Sequence, residues 1–223
     1  MPSSPDKRIV FDLDDTLYLE RDFAYSGFAA VGEWIGKRHG VEGFAGVCRC
    51  LFDNAHRRRI FDEALQQCRL SNRQNVGELV SVYRGHKPDI ALCPDAARYL
   101  DDHEGPFALI TDGPERTQRS KIAALGIAGH FDAIIPTGQW PDGFGKPHRR
   151  AFDEIATTAG GRQCVYVGDN ALKDFVTPNR MGWLTVQIQR PGRVHDAPPP
   201  DTDHAAQAQI ASLDQLDAVL SEI

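Results

Sequence analysis

Three aspartates stand close together near the start of the chain. Asp12, Asp14 and Asp15 follow directly after the apolar residues 9–11, in the segment FDLDDTLY. Side chains alternate along an extended chain, so Asp12 and Asp14 point to the same side. Two like charges held together need a divalent cation or a shared proton. A single D-x-D pair is also typical of a solvated loop or a helix N-cap, so other residues must decide between these interpretations.

Two further carboxylates and a lysine follow other apolar runs. Asp169 and Asp174 come after residues 165–167 in GDNALKD, and Lys146 precedes a helical pattern in GFGKPHRRAF. Several carboxylates together suit a hard cation such as Mg²⁺, which takes oxygen ligands and keeps several waters. A lysine offsets the remaining negative charge. We therefore predict a magnesium site formed by these side chains.

The run FALIT predicts a phosphate-binding site beside these carboxylates. It ends in Thr111, and Asp112 and Gly113 come next, just before a helical pattern. The Thr111 hydroxyl and the backbone N–H groups of Asp112 and Gly113 would then lie at a helix N-terminus, where anions bind.

The elements that must position these residues are short apolar strands alternating with helices. Five apolar runs are typical of buried parallel strands: residues 9–11, 107–110, 133–135, 165–167 and 184–186. Helical patterns over 114–125 and 152–159 lie between them. This alternation predicts a doubly wound, Rossmann-like three-layer α/β core with a parallel sheet, whose ligands bind at the carboxyl ends of the strands.

Residues 20–89 interrupt the alternation with four amphipathic helical patterns and no convincing strand. We expect a small all-helical domain here, inserted into a core formed by residues 1–19 and 90–223. The Pro-rich segment 190–201 predicts a loop. Ser212 and Gln215 match a capping box at the start of a last helix.

Charge and composition exclude several classes of protein. The chain has 25 Lys and Arg against 31 Asp and Glu, a net charge of −6, which disfavours nucleic-acid binding by counterion release. It contains no apolar run long enough to span a membrane and no signal-peptide pattern at its start. Its five scattered cysteines do not match a disulfide framework, so we expect a cytoplasmic protein. Neither the sequence nor its composition indicates an oligomeric state.

Taken together, the motifs identify a resemblance to the haloacid dehalogenase (HAD) superfamily of phosphohydrolases. The four motifs are D-x-D-x-T from Asp12 to Thr16, the strand ending in Thr111, Lys146 in GKP, and G-D-x4-D with Gly168, Asp169 and Asp174. The resemblance covers roughly residues 5–20 and 90–223, and the insert fits the helical cap that this superfamily places after its first motif. One departure is Arg149, which stands where many relatives have a second proline.

The resemblance implies a role for each motif residue. Asp12 would be the nucleophile that forms an aspartyl-phosphate, and Asp14 the general acid and then the base. Thr111 and Lys146 would hold the phosphoryl oxygens.

The metal ligands follow from the same resemblance. A carboxylate oxygen of Asp12, the backbone carbonyl of Asp14 and the side chain of Asp169 would hold Mg²⁺. Asp174 would support the metal-bound waters or Lys146. In haloacid dehalogenases proper the position of Asp14 is not an acid, so phosphate is favoured over halide.

We therefore expect a Mg²⁺-dependent phosphatase of a small phosphorylated metabolite. A sugar-phosphate mutase on the same core and a non-catalytic binding protein on this scaffold are the alternatives. A signalling receiver domain also pairs acids with a threonine and a lysine, but it lacks the insert and the G-D-x4-D motif.

Two features have an open interpretation. Asp15 is expected to be a solvated or turn-capping residue. The basic cluster at residues 56–59 predicts a solvated helix face or a binding site for a second anionic group.

Overall fold

The computed structural model describes residues 7–55, 58–105 and 107–223. Within these residues, its centre is a sheet of six parallel strands: β1 (Lys7–Phe11), β2 (Phe107–Thr111), β3 (Phe131–Pro136), β4 (Gln163–Gly168), β5 (Leu184–Ile188) and β6 (Ala208–Ile210). Their order in the sheet is β3-β2-β1-β4-β5-β6. The predicted parallel α/β fold is confirmed. The short edge strand β6 was not predicted, because three residues carry too little pattern.

In the described part of the chain, five helices surround the sheet. They are α5 (Pro94–Asp102), α6 (Glu115–Leu125), α7 (Arg150–Thr158), α8 (Val176–Arg180) and α9 (Leu216–Leu220). Phe152 of α7 packs with Val10 and Ala108, whereas Tyr99 of α5 packs edge-on against Phe11. Neighbouring strand residues point to opposite faces, so helices cover both faces and form the three layers.

The strand register brings the carboxyl ends of the central strands to one edge. Phe11 of β1 is paired with Val167 of β4, and the N–H of Asp12 donates to the Val167 carbonyl at 2.8 Å. Asp12 therefore lies beside Gly168, and the residues after both strands meet at the same place. This alignment is the reason that motifs far apart in sequence share one site.

The residues predicted to begin and end helices do so in the structure. Helix α6 follows Pro114 and ends at Gly126, whose φ of 70° closes the C-terminus. The capping box of Ser212 and Gln215 is present, although it begins a short 3₁₀ turn that leads into α9. Residues 190–201 contain neither helix nor strand, as predicted.

The chain divides into two compact units. The core unit runs from the described N-terminus to Arg21 and from Ala91 to Ile223, and the second unit is Asp22–Ile90. Within the described part of the second unit every regular element is helical: α1 (Glu20–His39, beginning in the core unit), α2 (Phe44–Asp53), α3 (Ile60–Gln67) and α4 (Val76–Gly85).

An aromatic cluster and close helix packing hold this helical unit together. Phe28 contacts Phe61 and Tyr83 at ring distances of 6.1 and 5.7 Å. A Cβ on Gly27 would approach the Tyr83 ring to 2.4 Å, and one on Gly32 would approach Ala45 to 2.8 Å. The glycines of α1 therefore lower its intrinsic helix propensity but permit this close approach. Among the helices of the described residues, none combines the length and apolarity needed to cross a membrane.

Candidate active site

Asp12 is buried at the end of β1 and forms an ion pair with Lys146. Its Oδ1 lies 2.6 Å from the Lys146 Nζ, which also lies 2.8 Å from Asp174 Oδ1 and 2.9 Å from the Tyr166 hydroxyl. Burial lowers the pKa of Lys146, but the charges of Asp12 and Asp174 outweigh it and hold the pKa well above its ordinary value. Lys146 is therefore a permanent cation at the centre of the site.

Three carboxylates converge beside this lysine. Asp12, Asp169 and Asp174 each offer an oxygen, and these oxygens all lie within 4.8 Å of one another. Among the residues that the structure describes, Oδ2 of Asp169 finds no hydrogen-bond partner, although it is buried. Burial and the charge of Asp174 raise the pKa of Asp169 to about 10, and burial raises that of Asp12 to about 7 against the opposing charge of Lys146. The donor set and its unpartnered oxygen fit a hard divalent cation.

The G-D-x4-D loop brings two of these carboxylates together. The backbone N–H of Asn170 donates to Asp174 Oδ2 at 2.8 Å, and the Gln187 side chain donates to the Asp169 carbonyl at 2.8 Å. A Cβ on Gly168 would lie 2.6 Å from Asp174 Oδ2. Glycine at this position is therefore required by close contact.

Asp14 has a different environment, formed by Lys121 and Tyr18. Oδ1 of Asp14 lies 2.6 Å from the Lys121 Nζ, and the Tyr18 hydroxyl donates to the same oxygen. Burial raises the pKa of Asp14, but the charge and hydrogen bonds of these partners outweigh it and lower the pKa. Lys121 and Tyr18 were not predicted as site residues. The only sequence signal for Lys121 is its position on the polar side of α6.

Thr111, Asp112 and Gly113 follow β2 at the same edge. The buried Thr111 hydroxyl donates to Gln118 Oε1 at 3.0 Å, and Gly113 has a φ of 121°, a conformation that favours glycine. The predicted phosphate-binding role of these residues stays a prediction. Gln118 was not predicted.

The Asp112 side chain has a second function that the sequence did not indicate. Its Oδ1 accepts the Thr137 hydroxyl at 2.8 Å and the Lys146 N–H at 3.0 Å, and its Oδ2 lies 3.1 Å from the Lys173 Nζ. Burial raises the pKa of Asp112, but the two lysines outweigh it and lower the pKa to about 2. Asp112 therefore fixes the loop that carries Lys146.

The Pro-rich segment holds the turn after Asp14. Asp15 has a φ of 53° and is fully buried; its oxygens accept the N–H groups of Glu20 at 2.9 Å and Val194 at 2.5 Å. The side chain of Arg190 donates to the Thr16 carbonyl at 2.8 Å. The expectation of a solvated Asp15 is wrong, whereas that of a turn-capping residue is confirmed.

Of the basic cluster, His56 and Arg57 lie outside the described residues. Arg58 and Arg59 are exposed in the helical unit, and Arg59 lies 3.5 Å from Asp62. This arrangement fits a solvated surface.

Comparisons with known proteins find similar sequences among hydrolases and phosphatases. A family model described as haloacid dehalogenase-like hydrolase matches residues 7–176. The chain is 28% identical to a phosphoserine phosphatase of Thermus thermophilus, over 85% of this chain and 91% of that protein. It is 27% identical to a glyceraldehyde 3-phosphate phosphatase of Methanocaldococcus jannaschii, over 94% and 95% of the two chains.

Solved structures show the same fold. A 2-haloacid dehalogenase from Pseudomonas syringae superposes with a TM-score of 0.62 at 24% identity, covering 97% of this chain and 98% of its own. A HAD phosphatase from Thermococcus onnurineus superposes with a TM-score of 0.60 at 22% identity, covering 96% and 97%.

Proposed function

The chain belongs to the haloacid dehalogenase-like hydrolases and is a phosphatase of small phosphorylated metabolites; on this premise we propose that it works through an aspartyl-phosphate on Asp12, with Mg²⁺. The observation that carries the proposal is the buried group of Asp12, Asp169 and Asp174 around Lys146. Three carboxylates beside one lysine carry excess negative charge, which is expensive to bury without a further cation.

In the first half-reaction an Asp12 carboxylate oxygen attacks phosphorus. A new O–P bond forms while the ester O–P bond breaks, and the leaving oxygen takes a proton from Asp14. Lys146 and the Thr111 hydroxyl hold phosphoryl oxygens, so negative charge on these oxygens is neutralised as it develops. Because its partners favour the Asp14 carboxylate, protonation for this step requires the negative phosphoryl group beside it.

In the second half-reaction Asp14 acts as the base. It accepts a proton from a water that attacks phosphorus, and the bond to Asp12 breaks. Inorganic phosphate leaves, Asp12 returns to the carboxylate, and Asp14 returns to the protonated form that the next first half-reaction uses. The lowered pKa of Asp14 suits this step, because the carboxylate is present at neutral pH.

The residues fit the metal that the family uses. Asp12 and Asp169, with the backbone carbonyl of Asp14, would hold Mg²⁺, which supplies charge neutralisation at the phosphoryl group when bound. Asp174 bonds Lys146 and thereby sets the position of the lysine beside Asp12.

Two earlier predictions are retained as part of this proposal. The acid at position 14 favours a leaving group that needs a proton, and therefore phosphate over halide. The helical unit Asp22–Ile90 is the segment expected to act as the cap, and that role stays a prediction.

A phosphate-release assay tests the proposal. Candidate substrates are phosphoserine, glyceraldehyde 3-phosphate, sugar phosphates and nucleoside monophosphates, each with Mg²⁺ and with chelator. We expect phosphate release from at least one substrate with Mg²⁺ and none with chelator. Transfer of the phosphoryl group to a second sugar without free phosphate would instead indicate a mutase. Full activity in chelator would contradict the metal-dependent mechanism.

A further inference from the structure

Helix α6 buries an unusual set of side chains. Its four buried residues are Thr117, Gln118, Lys121 and Ile122, and only Ile122 is apolar. A helix that packs on a sheet normally buries an apolar stripe, because a buried polar group costs stability unless it is hydrogen-bonded. Gln118 is 3% exposed and Lys121 is 4% exposed. Apolar packing on the sheet therefore does not explain why Gln118 and Lys121 are buried.

The contacts of Lys121 supply one reason. Its Nζ lies 2.6 Å from Asp14 Oδ1, which also accepts the Tyr18 hydroxyl. Within the described residues, Oδ2 of Asp14 has no hydrogen-bond partner. One oxygen is thus fixed by two donors, and the other is left to exchange a proton with substrate or water. Lys121 determines which way the carboxylate faces.

The contacts of Gln118 supply the other. Its Oε1 accepts the Thr111 hydroxyl at 3.0 Å, and a Cβ on Gly113 would come within 2.6 Å of its Nε2. The amide therefore lies directly against the predicted phosphate-binding residues. A half turn of the amide would make Nε2 the donor to Thr111 and leave the hydroxyl hydrogen for a phosphoryl oxygen.

We propose that Gln118 and Lys121 are positioning residues for the two halves of the site, Gln118 for the phosphoryl group through Thr111 and Lys121 for proton transfer through Asp14. They stand three residues apart, so they share one face of the helix. One rigid element therefore sets both the place of the phosphoryl group and the direction of Asp14. This inference rests on the proposed phosphatase function.

The two residues have different kinetic signatures. Loss of the Lys121 ammonium lets the Asp14 carboxylate turn, which harms proton transfer to a poor leaving group more than to one that needs no proton. Loss of the Gln118 amide weakens the hold on the phosphoryl group itself, so every substrate and inorganic phosphate are affected alike.

The experiment compares Lys121→Met and Gln118→Leu with Arg119→Met, an exposed control on the same helix whose side chain pairs with Glu115. Each variant is assayed with an alkyl phosphate and with p-nitrophenyl phosphate, and inorganic phosphate is tested as a competitive inhibitor. Thermal unfolding with Mg²⁺ confirms that each variant folds. Lys121→Met is also combined with Asp14→Asn, and Lys121→Arg tests rescue by a retained cation.

We expect Lys121→Met to lower kcat for the alkyl phosphate on the order of 100-fold and for p-nitrophenyl phosphate several-fold less, with KM unchanged. The loss should shrink in Lys121→Arg and disappear in the Asp14→Asn background. Gln118→Leu should raise KM for both substrates and Ki for phosphate by about tenfold, the scale of one hydrogen bond to a charged group.

Other outcomes separate the inference from the proposed function. Suppose that the unmodified chain is active. Equal losses of kcat on both substrates in Lys121→Met then overturn the role of Lys121, and so do additive losses in the double variant. An unchanged KM and Ki in Gln118→Leu overturns the role of Gln118. If the unmodified chain hydrolyses neither substrate nor any other phosphomonoester, the proposed function itself is wrong and the inference falls with it.

Discussion

The site contains two Asp–Lys pairs with the same 2.6 Å separation and opposite properties. In the Asp12–Lys146 pair both side chains are almost fully buried and the pKa of Asp12 is raised to about 7. In the Asp14–Lys121 pair the Asp14 side chain is 20% exposed and its pKa is lowered. Burial raises both values, so burial alone does not explain the difference.

The difference lies in how many carboxylates share each lysine. Lys146 also lies 2.8 Å from Asp174, and the charge of Asp174 raises the pKa of Asp12. Asp14 has Lys121 and the Tyr18 hydroxyl for one oxygen. The crowded pair, Asp12–Lys146, has excess negative charge that a metal can offset. In the Asp14–Lys121 pair two donors stabilise the Asp14 carboxylate and fix its direction. The first arrangement suits a nucleophile that is also a ligand, and the second suits proton transfer.

The largest expected effect tests the crowded pair. Asp12→Asn should abolish phosphatase turnover, because an amide oxygen does not form the aspartyl-phosphate. Turnover is measured on the best substrate of the panel, with Asp153→Asn as the matched control. Asp153 lies on α7, is partly exposed and pairs with Arg149, the residue just before that helix. Near-wild-type rates in Asp12→Asn would assign the nucleophile to another residue.

The second prediction tests the other pair. Asp14→Asn should lower kcat by roughly 10²- to 10⁴-fold, the usual contribution of general acid–base catalysis. The loss should be greater for alkyl phosphates than for p-nitrophenyl phosphate, whose leaving group needs no proton. Equal losses on both substrates would remove the general-acid role.

The third prediction concerns Lys146, the cation of the crowded pair. Lys146→Met leaves Asp12 and Asp174 without their buried partner, which should lower the free energy of unfolding by about 3–5 kcal/mol in metal-free buffer. Added Mg²⁺ should recover much of this loss, because a second cation offsets the same carboxylates. Chemical denaturation with and without Mg²⁺ measures both values. If the loss in free energy of unfolding is the same with and without Mg²⁺, no metal binds at this group of carboxylates.

The fourth prediction is a pH dependence of the metal-free protein. The pKa of Asp12 is raised above the unfolded value, so its contribution to stability is present at low pH and declines as pH rises through about 7. The free energy of unfolding should therefore fall from about pH 4, where the unfolded carboxyl ionises, to about pH 7, with a slope on the order of 1 kcal/mol per pH unit. Saturating Mg²⁺ should flatten this slope. A metal-free stability that is constant from pH 4 to 7 would show that the ionisation of Asp12 does not lower the free energy of unfolding.

The smallest effect distinguishes the two donors to Asp14. Tyr18→Phe removes one hydrogen bond and keeps Lys121, so we expect kcat to fall only a few-fold, on the scale of about 1 kcal/mol. The same substrate pair used for Asp14→Asn measures it. A loss as great as that of Asp14→Asn would make Tyr18, and not Lys121, the residue that directs the carboxylate.

Much of the fold could be predicted because local patterns encode it. Buried parallel strands are apolar on both faces, so five of the six strands stand out as short apolar runs, and helix ends are marked by Pro114, Gly126 and Ser212. The spacings D-x-D and G-D-x4-D also place carboxylates after strands. Parallel strands align their carboxyl ends, and Asp12, Asp169 and Asp174 therefore meet without any information about distant contacts.

The tertiary structure alone decided the partners of those residues. Lys121 is 107 positions from Asp14, and Val194 is 179 positions from Asp15. Local spacing says which side of a helix or loop a residue occupies, but which distant group it meets depends on how the helices pack on the sheet. The sequence by itself determined the identity and order of the chemical groups. The packing decided that Asp12 shares its lysine with another carboxylate, that Asp14 is held in one direction and that Asp15 is buried in a turn, because charge and burial depend on distances through space.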